Sequence, residues 1–404
     1  MKKLNLKAYH PIVWTLLAGT VFARGASFMA LPFLALYLSK TEGIHPIIIG
    51  LIIGVGPLTG TIGGFIGGNL SDRFGRKVVM LGSIFTWAFV FIGFAFATKP
   101  IAFLLLNALN GICRSFFEPT SQALMSDVTV KERRLRVFSM RYTAINIGAA
   151  MGPLLGAVFG ASSSTITFEI TGGFYLVYGL VLFLLLNKYQ INKGESSKKQ
   201  TSFKGAFRVV FNDKALLYFI LGGILVNIGY SQVESTLPQH LEKILTNGVV
   251  LYSVLLSINA VTVVILQIPL SRLVEKWKVL HVMMLGSSIS VIGFIGFSFS
   301  QGWAGFILSM LLFTIGEIFL FPSTSVFIDS IAPDMMRGTY FGAAQFRSLG
   351  NFIGPIAGGW IFKQLNGQWL FGLMALVVTM SIFSYLIGLK KQEVKCYKKL
   401  ALEQ

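Results

Sequence analysis

Residues 68–77 read GNLSDRFGRK, and apolar runs flank them at 45–70 and 78–97. A charged stretch this short, set between runs of about twenty or more apolar residues, is a turn joining two helices that cross a membrane. Each position in it has a physical reading. Gly68 lets the end of the first helix approach a neighbour closely. Gly75 permits the tight turn. Asp72 is placed to sit near a helix N-terminus, where a carboxylate is favoured. Arg73 and Arg76 are placed to pair with a carboxylate such as Asp127, at the same end of a later apolar run.

The rest of the chain has the same texture. Of its 404 residues, 54% are hydrophobic and 12% charged, and the mean hydropathy is +0.71. A soluble domain carries about 25% charged residues, so this chain could not cover a soluble surface. It is also too apolar for disorder, and its runs are too long for the alternating strands of an outer-membrane barrel. Lipid offers the backbone no hydrogen-bond partner, so the runs are helices. Twelve are expected, at 11–38, 45–70, 78–97, 100–126, 133–160, 167–187, 214–241, 249–272, 279–298, 302–330, 335–362 and 367–389. The fold class is therefore an all-α membrane protein with twelve transmembrane helices.

The net charge of +18 does not imply a nucleic-acid partner, because the basic residues gather at the ends of the apolar runs. Of the 34 Lys and Arg, only Lys40, Lys99, Lys243 and Lys363 fall on the side away from the termini. Arg24, Arg114, Arg141 and Arg347 lie inside spans, and all the others share the side of both termini. That bias places both termini in the cytoplasm and the protein in the cell membrane, in contact with the lipid bilayer. The first run follows Lys2, Lys3 and Lys7 as a signal peptide would. It continues to Leu38 without a clear small-residue cleavage site, so it reads as a retained helix. Cys113 lies in a run and Cys396 in the polar tail, which implies no disulfide framework.

The polar, lysine-rich stretch 188–213 divides the chain into six spans (1–187) and six spans with a tail (214–404). The halves repeat each other in order. Leu31-Pro32 answers Leu237-Pro238, Leu70-Ser71 answers Leu270-Ser271, and Leu81-Gly82-Ser83 answers Leu285-Gly286-Ser287. Arg114 with Pro119 answers Glu317 with Pro322, and Gly152, Pro153 and Gly156 answer Gly354, Pro355 and Gly358. Two parallel six-helix repeats around a central cavity are the arrangement of secondary transporters.

The stretch at 68–77 resembles the loop signature of the major facilitator superfamily, with glycines and charges at the family's spacing; in the second half it is degraded to LSRLVEKWK. Gly148, Gly152, Pro153 and Gly156 in GAAMGPLLGA resemble the glycine–proline motif of the antiporter branches, although Ala157 ends it where glycine is preferred. Ordinary tight helix packing accounts for the same glycines. The family's span-4 arginine is replaced by Asn107, and Arg114 lies seven residues later on nearly the same face. The resemblance, strongest to the twelve-helix drug–proton antiporters, implies the superfamily fold and makes Asp72 and its neighbours a cytoplasmic gate.

Ionisable groups inside spans cost a few kcal/mol each and so point to function. Arg114 and Glu118 are four apart and are expected to pair, either as a structural bridge or in a substrate cavity with Arg24, Asn107 and Arg347. Arg141 is expected to snorkel toward the cytoplasmic end. Glu234 and Glu317 have no basic neighbour on their own helix faces within a turn. A carboxyl in apolar surroundings is protonated readily near neutral pH, which suits a proton carrier. Their segments, QVESTLP and TIGEIFLFP, resemble the acid-bearing segments of lactococcal-type drug–proton antiporters. A third acid of that type is replaced here by Arg141.

No Walker loop, nucleophile elbow or paired Cys/His spacing is present, so neither enzyme chemistry nor a metal or cofactor is expected. The expected activity is proton-coupled efflux of amphipathic small molecules by a monomer. The rival reading is a specific exporter of an anionic metabolite, siderophore, peptide or lipid-linked sugar, which the intramembrane arginines favour. Phe22-Ala23-Arg24-Gly25 also resembles a segment of glycolipid-flipping members.

Overall fold

The computed structural model describes residues 9–40, 46–160, 165–191 and 203–402. The N-terminal lysines and residues 192–202 of the expected linker lie outside the described residues, as do the side chains of Leu31, Pro32, Lys40, Pro153 and Cys396 and the surroundings of Gly156. All described regular structure is helical.

Every expected span is helical. The first six are α1 (Pro11–Lys40), α2 (Pro46–Phe74), α3 (Arg76–Phe96), α4 (Pro100–Asp127), α5 (Arg134–Gly160) and α6 (Ile166–Lys188). A short α7 (Phe203–Asn212) follows, then α8 (Lys214–Ser235), α9 (Leu237–Ile244), α10 (Gly248–Leu273), α11 (Val279–Phe299) and α12 (Trp303–Ile331). The last three are α13 (Arg337–Ala343), α14 (Leu349–Leu365) and α15 (Gly367–Leu402). Proline begins α1, α2 and α4, where its missing N–H costs nothing. Among the described residues, ten of these helices are long and apolar enough to cross a membrane. The two expected spans outside that set are 133–160, whose first turns carry Arg134, Arg136 and Arg141, and 335–362.

Two expected spans are broken. The span at 214–241 is α8 and α9, separated at Thr236. Pro238 offers no N–H to continue the ladder, and the Gln232 carbonyl takes the backbone N–H and hydroxyl of Thr236. The span at 335–362 is α13, a 3-10 turn at 344–348, and α14. There the Arg347 carbonyl accepts from the Asn227 side chain at 3.0 Å. Apolar run length carries no sign of either break.

The helices form two compact units, Met1–Ala206 with Ala332–Gln345, and Phe207–Ile331 with Phe346–Gln404. In the first, α1 packs on α5, α2 on α4, and α3 on α6. In the second, α8 packs on α14, α10 on α12, and α11 on α15. The same pairing by order within each unit is the repeat seen in the sequence. The second unit has an aromatic core of Phe294, Phe297, Phe306, Phe313 and Phe371. Outward, Phe89, Phe299, Trp360 and Trp369 are exposed, as on helices solvated by lipid.

Candidate functional site

In the first unit, α1, α3, α4 and α5 surround a pocket lined by Arg24, Trp87, Arg114, Phe117, Glu118 and Arg141 among others. Glycine brings these helices together. A Cβ on Gly148 would meet the Val21 carbonyl and the Arg24 stem, and one on Gly152 would meet Phe28 and the Gly25 carbonyl. The small residues of α5 thus seat Arg24 against it.

Glu118 lies at the centre. Its Oε1 accepts from Arg24 Nη2 at 2.6 Å and from Arg114 Nε at 3.1 Å. Arg141 Nη2 stands 3.9 Å from Oε2. Arg141 does not snorkel: its side chain is 12% exposed and turned toward this carboxylate. Its position explains why, since Arg141 is nearly two turns into α5 and Glu118 offers a charge there. Arg114 is the half-exposed member, at 48%.

Asn107 is buried and does not line this pocket. It donates to the carbonyls of Ile52, at 2.6 Å, and Ile53. Asn110 donates to Asn107 Oδ1 at 2.9 Å, and Trp87 Nε1 donates to Asn110 Oδ1 at 2.6 Å. The chain of amides fixes Trp87 as a pocket wall, and Tyr175 stacks on it at 4.6 Å. The Tyr175 hydroxyl in turn donates to the Ala23 carbonyl at 3.1 Å.

At the end of α2, Asp72 accepts from the backbone N–H of Gly338 at 2.9 Å and of Thr339 at 2.6 Å. The Thr339 hydroxyl and Arg76 Nη1 also donate to it. Asp72 therefore caps the N-terminus of α13, which belongs to the same unit. A Cβ on Gly68 would strike the Gly338 backbone, so the close approach read from sequence is to α13. Gly75 has φ 92°, the left-handed region that the turn requires. Arg76 Nε donates to Asp127 at 3.1 Å. Arg73 makes no such pair and lies over the Phe74 ring. Asp127 takes instead a second arginine, Arg337, at 2.8 Å. Sequence reasoning missed Arg337, which follows a 3-10 turn as Arg134 does in the first half.

In the second unit Glu317 is buried, and the Asn259 amide of α10 donates to it and to Thr314 Oγ1. Glu234 is exposed on the last turn of α8. Arg347 donates to Thr324 Oγ1 at 2.9 Å and packs its stem on Gly223. Among the described residues no group of His, Cys, Asp and Glu could hold a metal ion.

The sequence matches the family model described as Major Facilitator Superfamily over residues 16–348. It is 40% identical to the uncharacterized MFS-type transporter YqjV of Bacillus subtilis, covering 91% of this chain and 93% of that one. It is 26% identical to a Na(+), Li(+), K(+)/H(+) antiporter of Planococcus maritimus, covering 95% and 97%. The fold is similar to that of the transporter FucP in its outward conformation, with a TM-score of 0.77 at 15% identity over 93% and 98% of the two chains.

Proposed function

The chain belongs to the major facilitator superfamily, and from that premise we propose that it exports amphipathic small molecules in exchange for protons. Members of this family are multi-pass membrane transporters of small molecules. The proton coupling rests on one observation above others: Glu317 is a carboxyl buried in α12, hydrogen-bonded by the neutral Asn259 amide. An ionisable side chain buried in a membrane-spanning helix is costly and points to function, here to carrying the proton. Glu234, exposed at the end of α8, is the second proton candidate. The antiporter of Planococcus supports coupling to protons. The cluster around Glu118 carries three cations against one anion, which disfavours a bare metal cation and favours an organic substrate.

Transport follows alternating access. Asp72, tied to the start of α13 and to Arg76, latches the cytoplasmic gate, and both termini lie on that side. Protonation of Glu317 favours one state of the carrier and substrate the other. The test is accumulation of amphipathic compounds by proteoliposomes with and without an imposed pH gradient. Accumulation that requires the gradient and collapses with a protonophore supports the reading. Equilibration that ignores the gradient refutes it.

A further inference from the structure

The pocket around Glu118 holds more cationic donors than its one acid satisfies. Each guanidinium carries five N–H donors, and a carboxylate accepts at about four positions. Arg24 and Arg114 spend one hydrogen bond each on Oε1. Arg141 Nη2 stands 3.9 Å from Oε2, beyond hydrogen-bonding range, and its buried Nε has no hydrogen-bond partner. Three like charges held within reach of one carboxylate repel each other strongly where water is scarce. A second anion relieves that repulsion and takes up the free donors. Buried Trp87 and Phe117 line the pocket beside the donors, and the amide chain from Asn107 fixes Trp87 in place.

We propose that this pocket binds the oxyanion head of an organic anion, a carboxylate or phosphate monoester, between Arg114 and Arg141. Glu118 stays in place as the bridge that orients Arg24 and Arg114. The forked guanidinium matches the two oxygens of such a head. Half-exposed Arg114 meets the anion first, and the apolar body lies toward the Trp87 and Phe117 side of the lining. The proposal rests on the reading of the chain as an exporter and names its substrate class. The proton stays on the carboxyls of the second unit, so anion and proton occupy separate sites.

The test is binding to the purified full-length protein in detergent, followed by tryptophan fluorescence and thermal shift. The probes share one aromatic body: 1-naphthoate, 1-naphthyl phosphate, the neutral 1-naphthamide and the cationic 1-naphthylmethylammonium. One or both anions should bind about tenfold or more tighter than the amide, with an affinity that falls as salt rises. The ammonium should bind weakest. Arg114→Gln should weaken the anions about tenfold and leave the amide unchanged. Glu118→Gln, which removes the competing charge, should tighten the anions severalfold. A purely structural cluster would not show that gain. Where Glu118→Gln does not fold, Arg114→Gln and the four-probe ranking decide.

Equal binding of anion and amide overturns the proposal, as does unchanged anion binding in Arg114→Gln. So does anion binding weakened in a folded Glu118→Gln. The two readings fail separately. Anions that bind but are moved by no pH gradient leave this proposal standing and sink proton-coupled export. Gradient-driven transport confined to neutral and cationic compounds does the reverse.

Discussion

Glu118 answers to Arg24 at 2.6 Å and to Arg114 at 3.1 Å, with Arg141 at 3.9 Å. This changes what mutations there should do. As an isolated pair four residues apart, Arg114 and Glu118 would tolerate joint replacement better than loss of one partner. With three arginines the order reverses. Arg114→Ala leaves Glu118 held by Arg24, and a half-exposed ion pair is worth about 1 kcal/mol or less. Changing Arg114 to Met and Glu118 to Leu leaves Arg24 and Arg141 without their acid, at a cost of about 3–5 kcal/mol. Melting in detergent should therefore show the double variant falling further than the single. A larger fall for Arg114→Ala alone would mean that Arg114 carries most of the pairing.

Glu317 gives the second residue-scale test. Glu317→Gln imitates the protonated acid permanently and keeps the hydrogen bond with Asn259 available. Substrate binding and downhill exchange should survive, while uphill transport driven by a pH gradient should fall to background. A merely structural carboxyl would lose binding, stability and every transport mode together. Uphill transport retained in Glu317→Gln would move the proton site to Glu234. At this scale the sequence showed which charges lie inside spans, but neither their burial, since Glu234 is exposed and Arg114 half-exposed, nor their partners. Spacing of four residues found Arg114 for Glu118. It could not find Arg24, ninety-four residues away, or Asn259 for Glu317, because pairing between helices leaves no local periodicity.

Among the elements, α13 is the one that the proposed latch holds. Asp72 takes two backbone N–H groups, a hydroxyl and a guanidinium. Asp72→Asn keeps an acceptor for the backbone but loses the ion pair with Arg76, and the amide cannot satisfy four donors. Transport should nearly vanish while expression and substrate binding remain, as read by flux and thermal shift. Thr339→Val removes only the hydroxyl and should cost about 1 kcal/mol, the worth of one hydrogen bond, with partial loss of flux. Normal flux in Asp72→Asn would remove Asp72 from the gate. The sequence predicted a helix N-terminus for Asp72 and a close approach for Gly68, since both follow from residue chemistry. That the helix in question is α13, and that Arg337 joins at Asp127, depends on chain path. Hydropathy averages over about twenty residues and so passed over both breaks: the one at 214–241 has a local sign in Pro238, whereas the one at 335–362 needs only one carbonyl and one side chain.

For the whole molecule the energetics are simple. At about 150 mV a charge crossing the membrane is worth about 3.5 kcal/mol, enough for a gradient of a few hundredfold. An inward proton exchanged for an outward monovalent anion moves two charges in the favourable sense, about 7 kcal/mol. Such exchange should be strongly voltage-dependent, and exchange for a neutral compound half as much. The fold was legible at this scale, because run length, the lysine and arginine bias and the internal repeat all report on the bilayer rather than on any one contact. The assignment of residues 332–345 to the first unit was not, since the chain there is ordinary loop and helix by composition.

The most direct measurement uses proteoliposomes holding either the native protein or Glu317→Gln, loaded with a pH-sensitive dye and offered 1-naphthoate on one side. An imposed pH gradient should drive accumulation of the compound with matched proton movement in the native protein. In Glu317→Gln it should drive neither, while unlabelled compound still exchanges for labelled. Accumulation without proton movement, or equal accumulation in both proteins, would contradict proton-coupled export through Glu317.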